Sequence, residues 1–265
     1  MPTPAEEVLA KTILPTGLSS EEIRDTIAPE IRRRSFFSAR TAEAEYLVKA
    51  RQVCADVAAG KIGQSEARFQ LEGFLDSVGY HDETGRYPGR EGAITDVGSI
   101  ARLDLIIDTQ RDMAFSAALL EAQTPDLVAA YPAWRLVRDG DREEPRDWNA
   151  RWAAAFAECG GEGCARNGEF VARKDSPIWE KIGAGAGGYK DTLGNAFPPF
   201  AFNSGMGWDD VDADECERLG IKIDDVSPKG VSLAPDKADI DRVKKRLGPD
   251  MLKALEKQLK ADGVW

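Results

Sequence analysis

The chain lacks the features that mark membrane-spanning, disulfide-framed or nucleic-acid-coating proteins. It has no run of about 18 apolar residues, so no segment is expected to span a membrane. Its four cysteines are too sparse in 265 residues for a disulfide framework, and it has a single histidine. Its 46 acidic residues outnumber 35 basic ones, and the net charge of -11 argues against general binding to nucleic-acid phosphates.

The N-terminal stretch "MPTPAEEVLAKTILP" also lacks the positive charge and the apolar segment of a signal peptide. Glu6 and Glu7 stand where basic residues would be needed. We therefore expect the protein to stay in the cytoplasm where it is made. In that reducing compartment its cysteines are expected to be metal-free thiols.

Apolar residues make up 42% of the chain, enough for one large domain or two of ordinary size. The spacing of prolines and of apolar residues predicts four regions. They are an N-terminal arm (1–34), a helical region (35–123), a small α+β region (124–220) and a C-terminal helical tail (221–265). The predicted fold class is α+β, with a helical N-terminal half, a small antiparallel sheet with irregular loops, and the helical tail.

Helical periodicity is clearest in the N-terminal half. Ser19, followed by Glu22, predicts a capped helix start, and Gly60 and Gly79 predict two helix ends. A further capped helix is predicted where Thr124 precedes Pro125. Two apolar helix faces are predicted: Ala67, Leu71, Phe74, Leu75 and Val78 on one helix, and Leu103, Ile106, Ile107, Gln110, Ala114 and Ala117 on another.

The second half contains short strand patterns separated by loops. "AWRLVRDGDREEP" predicts a strand that enters a polar turn, and "GEFVARKD" predicts a second strand. Between them, "DWNARWAAAFAEC" places Trp148, Trp152, Ala155 and Phe156 on one helical face. Short strands with intervening loops indicate a modest antiparallel sheet.

The stretch "GAGAGG" (183–188) matches the G-x-G-x-x-G pattern of dinucleotide-binding loops. Such a loop binds pyrophosphate only between a strand and the N-terminus of a helix. Here a capped helical turn, "SPIWEKI", precedes the glycines, and "YKDTLGNAFPPF" cannot form a long helix after them. A surface loop is the favoured interpretation.

Three acids have the spacing of the first calcium ligands in an EF-hand: Asp210, Asp212 and Asp214. That loop also needs glycine at its sixth position and glutamate at its twelfth, where this chain has Glu215 and Ile221. The alternatives are a weak cation site and acids placed at the start of a short helix, where the helix dipole favours them.

Cys159 and Cys164 flank a "GGEG" turn that could bring two thiolates to one zinc ion. Tetrahedral zinc needs four ligands, and neither Cys54, Cys216 nor His81 has a paired spacing with them. His81 also lacks a serine or cysteine neighbour that would mark a nucleophile. No catalytic residue, cofactor site or metal site is therefore predicted.

Five segments, in their order along the chain, carry a resemblance to a known family. They are "RSFFSARTAEAEYLVKARQVCADVAAGKIGQSEARFQLEGFL", "IARLDLIIDTQRDMAFSAA", "YPAWRLVRDGDREEPRDW", "GEFVARKDSPIWEKI" and "AFPPFAFNSGMGWDDVDADECERLG". Together they resemble phage head morphogenesis proteins of the Mu F-like type, also called minor head proteins, from about Phe36 to Gly220. Many relatives have a histidine after the "R-x-x-P" element and an "N-C-R-C" run after the Pro-Pro pair. This chain has Trp148 and "FNSGMGW" there, so a metal site cannot be carried over.

The resemblance implies a non-enzymatic structural protein of a phage or prophage head. Its expected partners are the portal and the capsid or scaffold proteins, with contact to packaged DNA and none to a membrane. It would reside in the host bacterial cytoplasm during assembly and then in the virion head. Residues 1–34 and helices over 236–262 are expected to bind partners. The alternative function is a metal-dependent hydrolase, such as a nuclease, that uses the acidic cluster Asp209–Asp214.

The residues expected to have structural or docking roles come from the matching segments. They are Tyr131, Trp134, Asp141, Arg142, Pro145, Trp179, Phe197, Pro198, Pro199, Phe200 and Phe202. Rings around an extended Pro-Pro pair are expected to pack onto the small sheet and close the second half of the protein. A base-stacking platform is disfavoured, because no Lys or Arg lies between Asp191 and Glu215.

Overall fold

The computed structural model describes residues 2–27, 29–82, 85–140, 146–230 and 233, with isolated positions at 241, 245, 249, 253 and 256. Its fold is α+β, as predicted. Two compact units are present, one of residues 2–118 with 232–265 and one of residues 119–231. The boundary between them falls within a helix.

The helices of the described residues are α1 Pro4–Ala10, α2 Ser20–Thr26, α3 Pro29–Arg33, α4 Ala44–Ala58, α5 Gln64–Ser77, α6 Ile100–Glu121, α7 Pro125–Ala130, α8 Trp148–Glu158, α9 Ile178–Ala184 and α10 Ala213–Arg218. The strands are β1 Thr12–Ile13, β2 Ser35–Phe36, β3 Ala133–Arg138, β4 Val171–Arg173 and β5 Met206–Val211.

The first unit, which we call the helical unit, incorporates the stretch predicted as an arm. Helix α1 packs on α4, and β1 pairs in parallel with β2, placing Ile13 opposite Phe36. Val8, Ile13 and Phe36 are buried in the same core as α4. The Ser19 capping box predicted at the start of α2 is confirmed, since Ser19 Oγ accepts from the Glu22 amide. Val8 of α1 and Ile13 of β1 are therefore already covered within this unit, whereas Leu9 of α1 is 41% exposed.

The core of the helical unit lies among α4, α5 and α6. The predicted α6 face is confirmed, because all six of its residues are buried. The predicted α5 face is confirmed for Ala67, Leu71 and Leu75, and Phe74 packs against the cluster from a partly buried position. It is wrong for Val78, which is 58% exposed. Val78 is the C-cap of α5, where the chain turns away at Gly79.

A buried lysine explains the polar residue on the apolar face of α6. The Lys11 ammonium is fully buried and donates to Gln110 Oε1 at 2.6 Å. Burial lowers the pKa of Lys11 to about 7, and the nearby Cys54 and Glu7 only partly oppose this shift. Gln110 therefore satisfies a donor that the surrounding apolar residues could not.

The second unit, which we call the sheet unit, is built around an antiparallel sheet in the order β4-β3-β5. Trp134 at the centre of the sheet lies opposite Ala172 of β4 and Asp210 of β5. One face of the sheet packs on α10 and the loop after it, with Ala133, Ala165, Val171, Val211, Cys216 and Ile221 in one buried cluster. Because side chains alternate along a strand, Trp134 and Leu136 point to the opposite face. That second face carries three of the family-motif residues, Trp134, Trp179 and Phe200.

No helix in the described part of the chain is long and apolar enough to cross a membrane.

The predicted capped start of α7 is confirmed, with Thr124 Oγ1 accepting from the Leu127 amide at 3.3 Å. The helix predicted from "DWNARWAAAFAEC" is α8, whose Trp148, Trp152 and Ala155 are buried. Most of the predicted tail over 221–265, including the expected helices of 236–262, lies outside the described residues.

Candidate functional site

Six aromatic side chains from separate parts of the sheet unit meet on one face of the sheet. We call them the aromatic cluster. Each ring lies within 6.3 Å of a neighbouring ring, measured between centroids. The members are Trp134 of β3, Trp152 of α8, Phe170 beside β4, Trp179 of α9, Phe200 of the Pro-Pro loop and Trp208 of β5.

Strand register produces the closest ring pair of the cluster. Trp208 lies opposite Leu136, two residues along from Trp134, so the two tryptophans occupy diagonal positions on neighbouring strands. Their rings stack with centroids 3.8 Å apart and planes 9° from parallel. This stack forms the floor of the aromatic cluster.

Trp179 lies at the centre of the cluster. Its ring contacts Trp152 at 5.7 Å and Trp208 at 5.3 Å in edge-to-face geometry. The indole Nε1 donates to the backbone carbonyl of Arg173 at 2.9 Å, which fixes the ring orientation. The "D-x-P-x-W" segment is Asp175 to Trp179 and begins two residues after the end of β4. This short connection places the Trp179 ring on the sheet.

The Pro-Pro loop covers the cluster, as the closure hypothesis predicts for its buried residues. Phe197 and Phe200 are fully buried, and Pro198 and Pro199 are buried between them. Phe200 stacks on Trp179 at 6.1 Å. The bond between the two prolines is cis, which sequence reasoning did not predict. Phe202 differs from the other two phenylalanines, because it is only partly buried.

Two arginines hold the loop in place through a shared carboxylate. Arg146 donates to Asp191 and to the backbone carbonyls of Phe202 at 2.6 Å and Asn203 at 3.1 Å. Arg151 donates to Asp191 at 2.9 Å. Partial burial raises the pKa of Asp191, but the hydrogen bonds from Arg151 and Arg146 outweigh it and leave the pKa below its usual value. Asp191 therefore serves as an ionised anchor for the loop.

A lysine is buried beside the cluster. The side chain of Lys174 is fully buried, and its Nζ lies 2.8 Å from Asp210 Oδ1 and 2.8 Å from Gln123 Oε1. The same ammonium lies 5.1 Å from the centroid of the Trp134 ring. Asp210 and Gln123 satisfy donors that would otherwise be costly to bury. The pair joins β5 to the end of β4.

The remaining acids of the Asp209–Asp214 cluster do not converge on one point. Asp212 caps α10 by accepting from the Glu215 amide at 2.8 Å, which matches the alternative of acids at a helix start. Asp209 and Asp214 are exposed, and Asp210 is paired with Lys174. Among the described residues, no group of three or more histidine, cysteine or acidic side chains is placed to hold a metal ion.

Glu215 belongs to a separate ion-pair network on the other face of the sheet. Its carboxylate accepts from Arg135 at 2.6 Å and from Arg218 at 2.9 Å. Hydrogen bonds from Arg135 and then Arg218 lower the pKa of Glu215. Glu215, which occupies the position that glycine takes in an EF-hand loop, is thus paired with two arginines.

The cysteines and the histidine show no geometry for catalysis. Cys164 is buried, with Sγ 3.6 Å from Ser176 Oγ, and burial raises its pKa to about 12. A buried thiol with a raised pKa is a poor nucleophile at neutral pH. Cys159, on the other side of the GGEG turn, is only partly buried. His81 Nδ1 lies 2.9 Å from the carbonyl oxygen of Gly79, and the ring packs against Tyr87.

The "GAGAGG" stretch ends a helix instead of beginning one. Gly183 lies in the last turn of α9, and Gly185 is its left-handed C-cap at φ 86°. A Cβ at Gly183 would overlap the backbone carbonyl oxygen of Asn195, so glycine is required there by close packing. Pyrophosphate binds at helix N-termini, so this stretch lacks the geometry of a dinucleotide-binding loop, as expected. The predicted surface loop is wrong for Gly183 and Ala184, which belong to α9.

The other predicted site residues are placed separately. Tyr131 is the C-cap of α7 and is 40% exposed. Asp141, Arg142 and Pro145 lie outside the described residues.

Sequence reasoning missed the partners of the motif residues. Lys174, Arg146 and Asp191 were not singled out as functional, because their partners are distant in sequence: Lys174 pairs with Asp210, and Arg146 pairs with Asp191. The arrangement as a whole binds a loop to a sheet. Comparison with protein-family models, curated proteins and solved structures finds no match to this chain.

Proposed function

We propose that this chain is a minor head protein of a phage or prophage, of the Mu F-like head morphogenesis type. Its role is structural and non-catalytic. It associates with the portal, and with capsid or scaffold proteins, while the head assembles in the host bacterial cytoplasm, and it remains in the virion head, where it contacts packaged DNA.

One observation carries this proposal. Three of the segments that resemble the family each contribute a ring to the aromatic cluster: Trp134, Trp179 and Phe200. These residues are far apart in sequence, yet their role in the sheet unit is to pack against one another. Packing in a shared core gives these motifs a structural role that needs no catalytic signature.

The charged groups beside the cluster support a structural role over the nuclease alternative. A metal-dependent nuclease needs carboxylates that converge on an ion and leave coordination positions open for substrate. Here Asp210 pairs with buried Lys174, Asp212 caps a helix and Asp191 binds two arginines. Each of these carboxylates stabilises the fold through a defined partner.

We place partner contact at Tyr131 and in the C-terminal tail. The ring of Tyr131 is 40% exposed, whereas Trp134, three residues further along, is buried. Tyrosine is enriched at protein interfaces because it combines apolar area with a polar hydroxyl. Val8 and Ile13, which lie in the first 34 residues, are buried and are not available for partner contact.

The proposal is tested by affinity capture of the tagged full chain from cells that produce the phage heads. The expected result is capture of the portal protein, identified by mass spectrometry. Tyr131→Ser should weaken capture without lowering the melting temperature. The matched control is Tyr87→Ser, which removes a 56% exposed ring from the helical unit and should leave capture intact.

Two results would count against the proposal. One is capture in which portal, capsid and scaffold proteins are all absent. The other is cleavage of DNA by the purified chain with magnesium or manganese that is lost on Asp210→Ala, since this would favour the nuclease.

A further inference from the structure

The helical unit contains a cavity of about 750 Å³ that the proposed function does not use. It lies between the start of α4, the end of α5 and the loop that leads to α6. A volume of this size falls within the range of small-ligand sites, which is roughly 300–1,000 Å³. The cavity is therefore large enough to hold an extended side chain or a small organic molecule.

Aromatic and aliphatic side chains form one part of the cavity wall. Tyr46, Phe74 and Tyr80 line it together with Leu75 and Val97. The rings of Tyr46 and Phe74 lie 6.3 Å apart and are inclined by 40°. Phe74 and Tyr80 are the partly buried rings of this wall, and the faces of aromatic rings attract organic cations.

The charged residues of the cavity give it net negative charge. Four carboxylates line it, from Glu43, Glu45, Asp82 and Asp96, against the guanidinium groups of Arg40 and Arg86. Arg86 is already paired with Asp82 at 2.7 Å. Among the described residues, Glu43 and Glu45 have no ion pair. Two carboxylates are thus left to attract a cation to the aromatic wall.

Two tyrosine hydroxyls of the cavity differ in their partners. Tyr80 donates to Asp96 Oδ1 at 2.7 Å. Tyr46 is 2% exposed, and its hydroxyl has no hydrogen-bond partner among the described residues. A buried hydroxyl without a partner is costly, so a ligand that donates to it would recover the lost hydrogen bond.

We propose that this cavity binds an organic cation that has an aliphatic stem and an ammonium or guanidinium head. The stem would lie along Leu75 and Val97, and the head would lie between the aromatic rings and the carboxylates of Glu43 and Glu45. The head donates a hydrogen bond to Tyr46. A lysine or arginine side chain of a partner protein and a free polyamine share this chemistry.

The test is a titration of the full chain with four small probes, followed by NMR at low salt. 1-Butylguanidinium and butylammonium should bind with a Kd of about 1 mM, as expected for ligands of this size. Butyrate and 1-pentanol are the anionic and neutral controls and should bind at least about tenfold more weakly. Tighter binding of spermidine than of a capped arginine tripeptide would identify a polyamine as the source of the cation, and the reverse order would identify a partner's side chain.

Two variants test the cavity itself. Glu43→Gln with Glu45→Gln should weaken binding of butylguanidinium by about fivefold and reduce its salt dependence. Both glutamates are exposed, so the fold should persist. The matched control is Glu180→Gln with Glu217→Gln, which changes the charge equally at exposed sites in the sheet unit and should leave affinity unchanged.

Tyr46→Phe removes only the unpartnered hydroxyl and keeps the ring. It should weaken binding by about threefold to tenfold while leaving the melting temperature unchanged or higher. The proposal is overturned if butyrate or 1-pentanol binds as tightly as butylguanidinium. It is also overturned if neither butylguanidinium nor butylammonium binds at up to about 20 mM. A third contradicting result is equal loss of affinity in the cavity double variant and in the control double variant of the sheet unit.

Discussion

Replacing Phe200 with alanine is the sharpest test of the aromatic cluster as the core of the sheet unit. The ring is fully buried, stacks on Trp179 at 6.1 Å and meets Trp208 edge-to-face at 6.0 Å. Deleting a buried phenylalanine ring costs about 3–5 kcal/mol of unfolding free energy, including the cavity it leaves. For a unit of this size, that loss lowers the melting temperature by on the order of 10–15 °C.

Near-ultraviolet circular dichroism is suited to this measurement, because five of the six tryptophans lie in the sheet unit. Phe197→Ala, at another fully buried ring, should show a loss of similar size, and Phe202→Ala, at a partly buried ring, a smaller one. The matched control is Phe69→Ala, since that ring is 68% exposed and its removal should change stability by less than about 0.5 kcal/mol. A Phe200→Ala protein that melts within about 2 °C of the parent would refute the closure of the sheet by this loop.

Three further predictions follow from individual contacts. Since burial lowers the pKa of Lys11 from 10.5 to about 7, the unfolded chain binds more protons between these values and stability rises with pH. The unfolding free energy from urea titrations should increase by roughly 1.5–2 kcal/mol between pH 7 and 8.5, and an unchanged rise in Lys11→Met would contradict this assignment. Asp210→Ala strands the buried ammonium of Lys174, so the melting temperature should fall by the equivalent of about 1–3 kcal/mol, while neither parent nor variant cleaves DNA with magnesium. Gly183→Ala pushes a methyl group against the carbonyl of Asn195 and should cost about 1–3 kcal/mol in urea unfolding; a neutral result would show that the contact is not tight.

Helices and their buried faces could be predicted from local periodicity. The α6 face was correct at every position because a 22-residue helix repeats its pattern over several turns. Val78 failed because the pattern was extended one residue past the last turn of α5, where a glycine ends the helix. Capping at Ser19 and Thr124 could be predicted because it depends on residues only three positions apart.

Contacts between distant segments could not be predicted. Lys11 and Gln110 are 99 residues apart, and nothing in "LAKTILP" indicates that its lysine is buried. The aromatic cluster likewise depends on the register of β3 with β5, which places Trp134 and Trp208 on diagonal positions. The sequence indicated that rings near Pro198 would pack on the sheet, but the rings they meet depend on the tertiary fold.

The EF-hand spacing of three aspartates illustrates how spacing alone can mislead. Asp210, Asp212 and Asp214 alternate in the way that EF-hand ligands do. In the structure, the first lies on a strand and the second begins a helix, so their carboxylates have different partners. Residues two apart share a face only while a strand continues, and β5 ends at Val211, so Asp212 and Asp214 follow a different backbone geometry from Asp210.

The central claim, that this chain is a structural component of a phage head, is tested most directly by quantitative mass spectrometry of purified heads. The account predicts that the chain is present together with the portal protein, in a few copies per particle that remain after washing at high salt. Heads that contain portal protein but none of this chain would contradict the account.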